Sequence, residues 1–156
     1  MLYYKKNEKG VHIVKILEEL DKLFAEKKLP LKRQEIPNNQ SLYQGNFMVR
    51  QGKSVPFGVV VARGEGETVD FQITFKRVAY LTNYAEKARV LELLNELNMN
   101  RTFYYHLCLA DDGEILMKTM AKTTEDVRPL YEMLIIGSNV LKFVTQEIEK
   151  VIPQEN

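Results

Sequence analysis

Apolar residues recur along this chain at two alternating periods. Between Val11 and Lys28, Ile13, Ile16, Leu17, Leu20, Leu23 and Phe24 fall three and four apart, which places them on one stripe of a helix. Glu18, Glu19, Asp21, Lys22 and Glu26 cover the rest. Lys27 and Lys28 suit the negative end of the helix dipole, and Pro30 prevents continuation. One helix cannot bury its own stripe, so this one is expected to lie on a sheet.

Residues 32–45 are polar and contain Pro37, Asn38 and Asn39, which reads as a connector with one short extended piece. Three strands are expected next, near 46–51, 56–63 and 68–81. They are separated by the hairpin-like runs Gln51-Gly52-Lys53-Ser54 and Gly64-Glu65-Gly66-Glu67. The third is the clearest, because Val69, Phe71, Ile73 and Phe75 alternate with Asp70, Gln72, Thr74 and Lys76.

Around Thr82 the period lengthens to about 3.6. Asn83 and Glu86 have the spacing of a capping box, followed by Ala85, Ala88, Leu91, Leu94 and Leu97, with an end near Asn98-Met99-Asn100. Two strands, 102–110 and 114–121, flank the hairpin signal Asp111-Asp112-Gly113. In the first, Phe103, Tyr105, Leu107 and Leu109 face one way and Tyr104, His106 and Cys108 the other. Neither face is strongly polar, so a second subunit or a long helix is expected over part of the second face.

The longest helix is expected over Val127 to Ile152, carrying Leu130, Met133, Leu134, Val140, Leu141, Val144, Ile148 and Val151. Pro129 fits its first turn, with residues 123–128 a separate turn or an imperfect start. Gly137 inside it costs roughly 1 kcal/mol relative to alanine, which points to close packing or a bend. The whole is an α+β fold in the order α-β-β-β-α-β-β-α, an antiparallel sheet of about five strands with helices packed on it, in a single domain over 1–156.

Composition fits that picture: 156 residues, 45% hydrophobic and 28% charged, are enough to bury a core without a staple. The one cysteine, Cys108, excludes an internal disulfide and points to a reducing compartment. The start lacks the apolar run of a signal peptide and no segment has the length of a membrane span, so a cytoplasmic protein without membrane association is expected. A net charge of +1 supplies no bulk field for nonspecific nucleic-acid binding. Charge is uneven nonetheless, with 14 basic against 9 acidic residues in 1–80 and 8 against 12 in 81–156.

No catalytic set, metal cluster or cofactor motif emerges. His12 and His106 have no short-spaced second ligand, and Gly64-Glu65-Gly66 lies between strands, lacks a Lys-Ser/Thr, and carries a carboxylate that repels phosphate. Asp111, Asp112 and Glu114 lack calcium-loop spacing. His106 and Cys108, two residues and roughly 7 Å apart on one strand, are the only reactive pair an enzymatic reading would have. Lys5-Lys6, Lys27-Lys28, Lys32-Arg33 and Lys76-Arg77, with Tyr3, Tyr4, Tyr43 and Tyr80 nearby, would bind nucleic acid only if they converged on one face.

The segment Leu91-Glu92-Leu93-Leu94-Asn95-Glu96-Leu97-Asn98, the aromatic strand from Phe103, and the turn Asp111-Asp112-Gly113-Glu114 before a strand and a long helix resemble the YbjN-like bacterial proteins, whose domain is similar to type III secretion chaperones. The resemblance covers residues 88–150, and Asn95, Asn98 and Asp112-Gly113 match the family's asparagine pair and turn. It implies a curved antiparallel sheet with helices on it, a homodimer, and binding or regulation of other proteins without catalysis. From the residues alone, Asn98 can end a helix, Asn95 can bond a loop backbone and Gly113 can supply a positive φ.

Three readings follow. The leading one is a homodimeric, chaperone-like protein-binding regulator with an unidentified protein partner, for which Ala88, Leu91, Leu94, Tyr104 and His106 form the expected dimer or partner surface. The second is a small-molecule-binding or enzymatic domain using an apolar pocket between sheet and helices. The third is nucleic-acid binding through the basic N-terminal half.

Overall fold

A computed structural model describes residues 2–62 and 67–154, with side chains from residue 13 onward. Helix α1 spans Leu2–Glu26, strand β1 Lys32–Ile36, β2 Gln40–Arg50, β3 Lys53–Val61 and β4 Val69–Tyr80. A single 3-10 turn, Tyr84–Glu86, leads into α2 (Lys87–Asn100), followed by β5 (His106–Leu109), β6 (Glu114–Thr123) and α3 (Arg128–Val151). The chain is α+β, with an antiparallel sheet in the strand order β1-β2-β3-β4-β6-β5. The separator Gly64-Glu65-Gly66 lies outside the described residues.

The sheet has six strands where five are expected, because residues 32–45 are not a connector. They form β1 and the first half of β2, paired from Lys32↔Gln44 to Ile36↔Gln40. Asn38 and Asn39 turn the chain at φ 68° and 56°, a conformation asparagine tolerates better than most residues. Gly52, at φ 81°, makes the tight turn from β2 to β3.

The described residues sort into two compact units that interleave in sequence, which is why no composition break announces them. One is 1–45, 58–72 and 120–132; the other is 46–57, 73–119 and 133–156.

In the first unit α1 begins at Leu2, well before the expected Val11, since each residue added to an existing helix gains a hydrogen bond at little cost. Its buried stripe is Ile16, Leu17, Leu20 and Phe24, with Phe24 edge-on to Tyr43 at 5.1 Å. The helix closes as a Schellman motif: Leu29 N donates to Phe24 O (2.9 Å) and Lys28 N to Ala25 O (3.0 Å), with Lys28 at φ 56°. The Tyr43 hydroxyl donates to Asp21 Oδ1 at 2.7 Å. Burial, reinforced by that carboxylate, pushes the phenol well above its ordinary pKa.

In the second unit Phe57, Phe75 and Tyr105 form a chain of rings at 5.6 and 6.0 Å. The buried Tyr105 hydroxyl donates to Met133 O on α3 at 2.7 Å, and burial raises its pKa. Alternation in β4 breaks at Arg77, φ 52°: Ile73 and Phe75 are buried, Lys76 and Arg77 exposed, and Val78 buried again. That switch of face is the signature of a bulge.

Helix α2 buries Val90, Leu94 and Leu97. This corrects the expected stripe, because Ala85, Ala88 and Leu91 are exposed. Residues three apart drift about 60° round a helix at each step, so a run of i+3 leucines does not stay on one face. Asn83 Oδ1 accepts from Ala85 N (3.1 Å) and caps the 3-10 turn, while Glu86 lies 3.7 Å from Arg89.

Candidate functional site

Strand β5 starts at His106, four residues later than expected. Thr102 to Tyr105 form a turn instead: Thr102 Oγ1 donates to Asn98 O (3.4 Å) and Tyr105 N to Thr102 O (2.9 Å). Phe103 occupies the second position of that turn at φ 53°, a place that favours glycine. Its ring, expected on one face of a strand with Tyr105 and Leu107, is 80% exposed, whereas those two are buried. Tyr104 is 62% exposed, and Met99, in the last turn of α2, is also exposed.

These aromatics border a groove of about 430 Å³ on the second unit, lined by Arg101, Phe103, Tyr104, Ile136, Val140 and Phe143. Helix α3 supplies Ile136, Val140 and Phe143 at three- and four-residue spacing, one continuous wall. Arg101, just past the end of α2, holds its guanidinium 5.3 Å from the centre of the Phe143 ring. Asn100 and Asn139 add neutral polar groups.

Of the expected surface, Tyr104 lines this groove, and Ala88, Leu91 and His106 are exposed elsewhere on the same unit. Leu94 is corrected: at 3% exposure it belongs to the core face of α2 with Val90 and Leu97, and cannot share a surface with Leu91. Phe103, Ile136, Val140 and Phe143 are site residues that periodicity hides. Phe103 follows the strand-like alternation, and the α3 residues sit within a helix whose apolar content is already explained by a core.

Asn98 and Asp112-Gly113 hold the frame of this region. Asn98 contacts the backbone of Leu107 through both atoms of its amide, whereas exposed Asn95 reaches Met99 Sδ at 3.8 Å. Asp112 Oδ1 accepts from Glu114 N (3.0 Å), and Gly113, at φ 89°, donates to Ala110 O (3.0 Å) and accepts from Leu81 N (2.8 Å). A Cβ on Gly113 would lie 2.4 Å from Leu81 O, so glycine is required there on two counts.

His106 is exposed and Cys108 half-buried on β5, paired with Lys118 and Leu116 respectively across to β6. Among the described residues no group of three His, Cys, Asp or Glu gathers to hold a metal ion, and no helix is long and apolar enough to cross a membrane. Of the basic clusters, Lys27 lies over the Tyr131 ring at 5.3 Å and Arg33 pairs with Asp21 at 3.0 Å. The side chains of Tyr3, Tyr4, Lys5, Lys6 and His12 lie outside the described residues. No protein-family model and no curated protein matches this chain, so what the groove does is read from its geometry.

Proposed function

We propose that this chain is a non-catalytic, chaperone-like protein-binding module that acts as a homodimer and seats an apolar side chain of a partner protein in the groove beside Phe103. The observation that carries the reading is Phe103 itself. A bulky residue at positive φ is strained, and its ring is held in water, so the fold gains nothing from it at that position. Such a residue is kept for contact with something outside the chain. Arg101, seated on Phe143, offers its guanidinium to an acidic residue flanking the docked side chain. The YbjN-like resemblance of residues 88–150 supports the same function and a type III secretion chaperone-like fold.

The test is site-specific photocrosslinking in cells, with a benzophenone amino acid in place of Phe103 or, as control, of exposed Met48. A discrete adduct from position 103 alone, lost when Val140→Asp is added in a variant that retains its circular dichroism spectrum, is the expected result. No adduct at 103, or the same adducts from both positions, would overturn the proposal.

A further inference from the structure

The two ends of the strand order are treated differently. β5, the last strand at one end, has its outward backbone at Leu107 engaged by the Asn98 amide, which donates to Leu107 O (3.0 Å) and accepts from Leu107 N (2.8 Å). β1, the strand at the other end, has no such cover among the described residues: Lys32, Arg33, Gln34 and Glu35 are all exposed. It carries no proline or residue at positive φ, and what limits its pairing as an edge is its shortness and the charges of Lys32, Arg33 and Glu35, which admit only a strand of complementary charge.

Registration within the β1–β2 hairpin assigns the faces. Arg33 lies opposite Tyr43 and Glu35 opposite Ser41, both buried, so Arg33 and Glu35 share the α1 side while Lys32, Gln34 and Ile36 share the other. Now consider two β1 strands meeting antiparallel about a twofold axis perpendicular to the sheet. Residues on one face stay on that face, so the axis must pass through a residue and not between two. Centring on Arg33 sets Arg33 against itself, and centring on Glu35 does the same with a carboxylate. Centring on Gln34 sets Arg33 against Glu35 of the second copy and Glu35 against Arg33, with the two Gln34 amides at the axis and the Lys32 stem beside Ile36. Of the three registers, it alone opposes no like charges, and it forms two cross-strand ion pairs.

We infer that the homodimer forms by antiparallel pairing of the two β1 edges in the register centred on Gln34. This rests on the homodimeric part of the function proposed above, and it leaves the groove beside Phe103 open in each copy for a partner. Five residues per strand bury less than the ~1,200 Å² of a standard interface, so a weak, concentration-dependent dimer is expected.

The test uses the full chain and charge reversal, read by sedimentation velocity across a concentration series with circular dichroism as a check on folding. Arg33→Glu gives a strand with acids at 33 and 35, and Glu35→Arg one with bases at both. Each alone should lose association by at least about tenfold, since both cross-strand pairs become repulsive. An equimolar mixture should recover it, because acid then meets base at both positions. Within the chain Arg33 also pairs with Asp21 (3.0 Å) and Glu35 (3.9 Å), and Glu35 accepts from Ser41 Oγ; an effect on those contacts alone would not be repaired by mixing. Dimerisation that persists in both single variants, a wild type that stays monomeric at millimolar concentration, or a mixture that fails to associate would overturn the inference. Loss of association with Phe103→Asp would instead place the dimer at the groove, whereas failure of the crosslinking test leaves the β1 interface standing.

Discussion

Asn98 grips Leu107 from outside the sheet, its amide nitrogen donating to the Leu107 carbonyl and its oxygen accepting from the Leu107 N–H. One side chain on α2 thus satisfies the two backbone groups a neighbouring strand would have paired, and ties helix to strand. Leu107 is buried, so removing the amide strands a donor and an acceptor where water reaches them poorly. Asn98→Ala should destabilise by about 2–3 kcal/mol in urea unfolding. Asn98→Asp keeps the acceptor and turns the donor into a repelling oxygen, so it should recover little; full stability in either variant would show that the contact is dispensable.

Gly137 illustrates the opposite constraint, space instead of bonding. A Cβ there would stand 2.4 Å from the Tyr105 hydroxyl and 2.9 Å from Phe75, while that hydroxyl is held by Met133 O at 2.7 Å. Gly137→Ala gains about 1 kcal/mol of helix propensity, but it overpacks a rigid site at a cost of roughly 1–3 kcal/mol, so a net loss is expected. In a Tyr105→Phe background the ring carbon 2.5 Å from that Cβ remains, but the ring is no longer held by Met133 O and is free to shift, so the same substitution should cost less. A thermal-unfolding cycle showing strict additivity would refute the coupling.

How much of this was legible beforehand depends on whether a residue's role left a periodic trace. The clear alternation from Val69 to Phe75, the turn at Asp112-Gly113 and the amphipathic α3 predict their elements well, because each buries one face. β1 left little trace beyond one short extended piece in a polar connector: an edge strand with Lys32, Arg33, Gln34 and Glu35 all in water has no apolar period, and the left-handed Asn38-Asn39 turn resembles any polar connector. The leucines three apart in α2 mark a helix but not its buried face, and only packing selects Val90 over Leu91. Phe103 misleads outright, since an aromatic residue in a glycine position extends the apparent strand back to Thr102. The groove was half visible, through Tyr104, because its other wall belongs to a helix distant in sequence.

The strain at Phe103 can be measured separately from its binding role. Phe103→Gly removes both the positive-φ penalty and the exposed ring, and should stabilise the isolated chain by about 1–2 kcal/mol. Phe103→Ala removes the ring but keeps the penalty, so it should gain clearly less. If glycine gives no more stability than alanine in urea unfolding, the turn is not strained and the main support for the protein-binding reading falls.

Asp126 gives the fold an acid-sensitive start to α3. Its carboxylate accepts from Arg128 Nε (2.8 Å) and Nη2 (2.7 Å), and from the Arg128 backbone N–H at 3.2 Å. The guanidinium bonds, with the backbone bond second, pull its pKa down to about 2. An unfolded aspartate titrates near ~3.9. A folded value below the unfolded one means the stabilisation is complete above about pH 4 and is lost as pH falls from there towards about 2. The urea midpoint of the wild type should therefore exceed that of Asp126→Asn at neutral pH, and the gap should close across that window. Because both groups lie in water, added salt should narrow the gap at neutral pH. A gap that is constant down to about pH 2 would show that the carboxylate's charge contributes nothing to holding the helix start.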